Sequence, residues 1–119
     1  MITLKNKVAV ITGSGSGISA AVAKKFFDLG SYLVLIGKTE KNVKKVAQEL
    51  NSNERVNYFA CDVNDEKRLN EVKDIIFSKR GKIDILVTCA AAPGFSGKIE
   101  ETSFTEWRSV LSTDLDGVF

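Results

Sequence analysis

The sequence predicts an α/β protein with a doubly wound parallel sheet, and three observations carry that prediction. Four short apolar runs recur at intervals of about 25 residues, as strands of a repeating strand–helix unit would. Stretches with helical spacing of apolar residues fill the gaps between them. Glycines and capping residues fall at the junctions. Strict alternation of strand and helix implies right-handed crossovers and helices on both faces of the sheet.

The first run, VAVIT (Val8 to Thr12), is apolar and rich in β-branched residues, as a strand buried on both faces should be. A helix follows, with Ile18, Val22, Phe26 and Leu29 on one face and Gly30 as its stop. The second run, YLVLI (Tyr32 to Ile36), leads through Thr39 into a helix that aligns Val43, Val46, Ala47 and Leu50. The third run, VNYFAC (Val56 to Cys61), precedes a helix with Leu69, Val72, Ile75 and Ile76 on one side and Gly81 at its end. The fourth, IDILVTC (Ile83 to Cys89), is again near-continuously apolar and predicts a strand buried on both faces. Pro93 marks the loop that follows. Ser103 and Glu106 form a Ser-x-x-Glu capping box before Phe104, Trp107, Leu111, Leu115 and Val118, which share one helical face. No stop signal precedes Phe119, so the sheet is expected to be incomplete at its C-terminal side, with residues 1–119 forming one domain or part of one, cut within a helix.

Composition excludes several classes. Seventeen Lys and Arg stand against 15 Asp and Glu, a net charge of +2, too weak a field to draw nucleic acid or an anionic membrane. Lys41, Lys44 and Lys45 read as a solvated helix face. Histidine is absent, which removes imidazole chemistry and most zinc sites, so no metal site is expected. The N-terminus lacks a signal peptide, and no apolar stretch approaches the roughly 18 residues of a membrane span, so the default compartment is the cytoplasm. Cys61 and Cys89 each end an apolar run and read as small buried thiols.

The stretch TGSGSGIS (Thr12 to Ser19) is either a phosphate cradle or a flexible linker. Its position between a β-branched strand and an amphipathic helix favours the cradle. Glycines allow a sharp turn and close approach of backbone N–H groups to a pyrophosphate, and the helix start adds about half a positive charge. Gly13, Ser14, Ser16, Gly17 and Ile18 are the candidate contacts. Ser19 fills the third small position, where helix and strand touch, with a hydroxymethyl group pressed between them.

Four stretches together resemble the short-chain dehydrogenase/reductase family: Thr12-Gly13-x-x-x-Gly17-Ile18, CDV (Cys61 to Val63), DILVTCAA (Asp84 to Ala91) and STDLDGVF (Ser112 to Phe119). The likeness runs over essentially the whole chain and leans toward members that reduce ketones or 3-oxoacyl groups. It implies a Rossmann-like sheet of order 3-2-1-4, with Asp62 and Val63 at the adenine and the backbone of Cys89 and Ala90 along the nicotinamide ribose. In that order the ends of the third and fourth strands lie about 14 Å apart, so the two cysteines should be free. Turn and N-cap chemistry before the helix at Asp65 is a competing reading of Asp62.

The sequence departs from the family pattern at four places. Ser19 replaces the third glycine, Thr88-Cys89 replaces an Asn-Asn pair, and Asp114 stands where the family has its active-site asparagine. The family's catalytic Tyr-x-x-x-Lys and serine are not in this chain, because Tyr32 is followed four residues on by Ile36, and Tyr58 by Asp62.

Cofactor preference is read at Gly37-Lys38-Thr39, the end of the second strand. Glycine where NAD-selecting proteins carry a carboxylate, with Lys38 beside it, favours NADP over NAD. Ser16 tempers this, since many NADP members of the family carry a second basic residue there. The resemblance therefore implies hydride transfer between a nicotinamide and a carbonyl or alcohol carbon of a small-molecule substrate, by a longer chain that forms a homo-oligomer. Two alternatives stay open: a non-catalytic nucleotide-binding module or pseudo-enzyme, and an assembly subunit completed by a partner.

Overall fold

The computed structural model describes residues 1–119. Strands β1 (Val8–Thr12), β2 (Tyr32–Gly37), β3 (Val56–Ala60) and β4 (Ile85–Val87) form one parallel sheet in the order β3-β2-β1-β4. Helices α1 (Gly17–Asp28), α2 (Glu40–Leu50) and α3 (Glu66–Arg80) are the crossovers, and α4 (Phe104–Leu111) follows β4 after a long loop. The register pairs Val8 with Tyr32, Leu33 with Val56 and Ala9 with Ile85.

Side chains alternate across the sheet and build two cores. Ala9, Ile11, Leu33, Leu35 and Val56 pack with Ala23 of α1 and Val46, Ala47 and Leu50 of α2. Val8, Val10, Val34 and Ile36 face the other way, onto Cys61 and onto Val72 and Ile76 of α3. β1 and β2 are therefore sealed on both faces, as their continuous apolar runs predict.

The helix boundaries follow local chemistry. Asp65 caps α3 by accepting from the Arg68 amide at 2.9 Å, and Gly81 ends it at φ +72°. The Ser103–Glu106 capping box closes the start of α4: the Glu106 amide donates to the Ser103 hydroxyl, and the Ser103 amide donates to the Glu106 carboxylate at 2.8 Å. That carboxyl sits below its usual range because the Ser103 hydroxyl and amide both donate to it.

Three expectations are corrected. Ile18 is 79% exposed; α1 instead buries Ser19 and Ala23, with Val22, Phe26 and Phe27 half-buried beside them, because the small residues let the helix lie close on β1. β4 is only three residues long and lies at the sheet edge, where Leu86 is 60% exposed. The last helix also does not run on with one apolar stripe. It changes at Ser112 to a π-helical turn (Ser112–Asp116), closed by the Gly117 amide donating to the Ser112 carbonyl at 2.8 Å. Phe104, Trp107, Leu115 and Val118 stay exposed.

Candidate functional site

A cleft of about 570 Å³ opens at the carboxyl ends of the strands. Its floor lies where the chain order reverses between β1 and β4, the place where open α/β sheets hold ligands. The volume falls within the usual range for small-molecule sites.

The β1–α1 loop makes one wall. Gly13, at φ +63°, runs so close to the β4 loop that a Cβ there would stand 2.7 Å from the Ala90 amide nitrogen. Gly17, at φ +62°, has open space where its Cβ would be. Helix α1 begins at the cleft with no side-chain cap and no acidic residue in its first turn. Its first amides therefore lack side-chain partners, unlike those of α3 and α4, and the dipole end is left for an anion.

Gly13, Ser16 and Ile18 line the cleft, whereas Ser14 and Gly17 do not. Ser14 is fully buried; its amide donates to the Ile36 carbonyl at 3.0 Å and its hydroxyl to the Ile11 carbonyl. Both of its donors are spent on fixing the loop to β1 and β2. Ser19 departs from its expected role as mere filler. It is buried at the cleft wall, and its hydroxyl donates to the carbonyls of Gly13 and Ser16, so the loop is closed by a hydrogen bond a glycine could not make.

At the adenosine end, β2 and β3 finish side by side, with Gly37 paired to Ala60 and the Cys61 amide donating to the Gly37 carbonyl at 2.9 Å. A Cβ at Gly37 would collide with Val43 of α2, so the position of the NAD-selecting carboxylate is occupied by a packed apolar side chain. One residue further on, Lys38 reaches across to Asp62, Nζ to Oδ2 at 3.4 Å. Lys38 thus has a carboxylate neighbour, supplied by the end of β3 rather than by β2. Asp62 also accepts from the Asn64 amide at 2.9 Å and from its side chain at 3.2 Å. Those donors, with the Lys38 charge, hold its carboxyl below the usual value. Asp62 forms the turn and lines the cleft, while Asp65 caps the helix.

The opposite wall is the β4 loop. Cys89, Ala90, Ala92 and Pro93 line it, and the Cys89 and Ala90 amides both donate to Thr12 Oγ1 at 3.2 Å. With their N–H groups taken by Thr12, these two residues offer the cleft no free backbone donor. Asp114 does not line the cleft; its Oδ1 accepts from the Ala92 amide at 2.8 Å. The π-helical turn thus holds the β4 loop on one side. On the other it meets Asn64, which accepts from the Ser112 hydroxyl at 2.8 Å and donates to Thr113 Oγ1 at 3.0 Å. Between them, Ser112, Thr113 and Asp114 of that turn contact both loops.

Thr12, Asn64 and Ser112 were not singled out by sequence reasoning. Thr12 opens the glycine motif and Asn64 follows CDV, so their positions carried a signal; their partners, 48 to 78 residues away, did not. Cys61 and Cys89 are free thiols, and burial pushes the Cys61 thiol up. Tyr32 lies under Arg80, 4.0 Å from guanidinium to ring centre, and Tyr58 packs on the core, so neither phenol faces the cleft. No three His, Cys, Asp or Glu side chains are grouped to hold a metal, and no helix is long and apolar enough to cross a membrane.

A doubly wound sheet with a glycine turn and an uncapped helix at its switch point defines a class of ligand-binding α/β protein. A family model described as short chain dehydrogenase matches residues 7–119, and the chain belongs to that family. It is 33% identical over 116 residues to an NADP-dependent (R)-specific alcohol dehydrogenase of Lentilactobacillus kefiri, covering 98% of this chain and 46% of that protein. A short chain dehydrogenase from Bacillus anthracis superposes with a TM-score of 0.92 at 30% identity, over 98% of this chain and 47% of the other. A 3-ketoacyl-(acyl-carrier-protein) reductase from Brucella melitensis complexed with NADH gives a TM-score of 0.90 at 29% identity, over 98% and 47%. The chain spans about half the length of the curated relatives it matches.

Proposed function

We propose that residues 1–119 are the dinucleotide-binding part of an NADP-preferring oxidoreductase that moves hydride between a nicotinamide and a carbonyl or alcohol carbon of a small molecule. The observation that carries this is the uncapped start of α1 opening, beside Gly13 and Gly17, into a cleft of about 570 Å³ at the switch point. In this reading the amides of Ser16, Gly17 and Ile18 receive the pyrophosphate. Asp62 and Val63 border the adenine, Lys38 meets the ribose 2′-phosphate, and Cys89 and Ala90 give the nicotinamide ribose its wall. Asp114 acts as a positioning residue, holding the Ala92 amide. A bound dinucleotide would supply the hydride chemistry. The cleft side chains of this stretch include no phenol or imidazole, so its part is to bind and orient. Self-association and a cytoplasmic location go with this reading.

Likeness to relatives does not choose the cofactor, since proteins of similar identity are named with NADP and with NADH. The filled space at Gly37 and the cation at Lys38 favour NADP. Calorimetric titration of the intact protein with NADPH and NADH tests both levels. We expect tighter NADPH binding by about tenfold, the worth of a charge-assisted contact at an exposed site. Equal affinities would remove the preference, and binding of neither would remove the dinucleotide reading. Gly13→Val should abolish binding of both, because its side chain meets the Ala90 backbone.

A further inference from the structure

We infer that Asp62 is a second specificity-determining residue, which pairs with Lys38 and thereby holds down the preference for a 2′-phosphorylated ribose; this rests on the proposed dinucleotide reading of the cleft. The pairing is imposed by the sheet. Gly37 and Ala60 are partners in the parallel β2–β3 ladder, and the Cys61 amide bonds the Gly37 carbonyl. Lys38, the first residue past β2, and Asp62, the second past β3, therefore come out close together, Nζ to Oδ2 at 3.4 Å.

Asp62 is built to stay charged and to stay put. Its Oδ1 is held by the amide and side chain of Asn64, which leaves Oδ2 for Lys38. Asn64 is itself fixed by Ser112 and Thr113 of the π-helical turn. Lys38, by contrast, is 81% exposed, and Asp62 is its sole ion-pair partner. Gly37 brings no side chain, and Val43 fills the space one would need. Between Lys38 and Asp62 the balance is one cation against one carboxylate.

A 2′-phosphate brings a charge of about −1.5 to −2 to that pair. To meet Lys38 it must also approach the Asp62 carboxylate, and it must compete with that carboxylate for the ammonium. A ribose 2′-hydroxyl carries no such penalty. Because both groups are solvated, the opposing effect is modest, on the order of a three- to fivefold change in the affinity ratio at low salt.

The test measures dissociation constants of adenosine 2′,5′-bisphosphate and 5′-AMP for the intact protein, with Asp62→Asn, Asp62→Thr and Lys38→Met alongside it. Asn and Thr both keep an oxygen to accept from Asn64, so one serves if the other does not fold. Taking the ratio of the two constants cancels any contribution of Asp62 to the adenine that both probes share. The inference requires the bisphosphate preference to rise about three- to fivefold in the Asp62 variants and the gain to fade in 1 M salt. If wild type prefers the bisphosphate and the variants leave that ratio unchanged or lower it, the inference is overturned and the NADP reading stands. If wild type binds both probes equally, and neither Lys38→Met nor the Asp62 variants shift the ratio, both are overturned.

Discussion

The two sides of the sheet are held together by different forces. On the β1–β2 side, strands are buried on both faces and the helices pack apolar residues against them, so burial fixes the geometry. On the β4–α4 side, Leu86 lies open, α4 buries no residue, and the loops are tied by hydrogen bonds: Asp84 to the Val8 amide, Thr12 to Cys89 and Ala90, Asp114 to Ala92, and Asn64 to Ser112 and Thr113. The cleft lies between the two. One wall is as rigid as a hydrophobic core, and the other is only as rigid as a handful of polar contacts.

The largest effect should come from the packed side. Leu35→Ala removes a fully buried side chain from β2 and should cost about 2 to 5 kcal/mol, whereas Leu86→Ala on β4 should stay within about 0.5 kcal/mol. Urea unfolding of the two variants measures the difference. Comparable losses would mean that Leu86 is covered in solution and that the two sides are alike.

A middle-sized effect belongs to the seam. Thr12→Val keeps the shape but strands two amides, and should cost about 1 to 3 kcal/mol, with faster hydrogen exchange at Cys89 and Ala90 and weaker dinucleotide binding. Thr12→Ser should restore protection. Unchanged exchange at those amides would show that the β4 loop does not depend on Thr12.

The smallest effect is a pH dependence. The Val8 amide, then Lys82, hold the Asp84 carboxyl below its usual 3.8, so the folded state binds its proton less readily than the unfolded chain. Stability from this contact is present above that usual value and lost as pH falls through the lowered one. Asp84→Asn should flatten the decline of the urea midpoint as pH falls below the usual carboxylate value, without removing it, because Asp62 and Glu106 are shifted in the same direction. A steeper decline in the variant would reverse the assigned sign.

Much of the packed side was legible in the sequence. VAVIT and YLVLI are long enough and apolar enough to require two covered faces, and Val43, Val46, Ala47 and Leu50 keep a helical period that burial then used in full. The same rule misread IDILVTC, since an apolar strand at a sheet edge has the sequence of a central one. Ile18 was assigned inward by periodicity, but small residues at Ser19 and Ala23 let the helix approach β1 along a different line. Glycine spacing pointed to the site's loop, yet it could not say that Ser14 faces inward or that Ser19 bonds two loop carbonyls.

By itself the sequence determined the elements, their alternation, the capping of α4 and the stop at Gly81, because each depends on residues within a few positions of one another. The tertiary structure decided which strand is left uncovered, that the last helix widens at Ser112, and that Lys38 stands beside Asp62. Those outcomes depend on partners that are distant in sequence and brought together by the fold, and a charge or a hydroxyl has no fixed role until its partner is in reach.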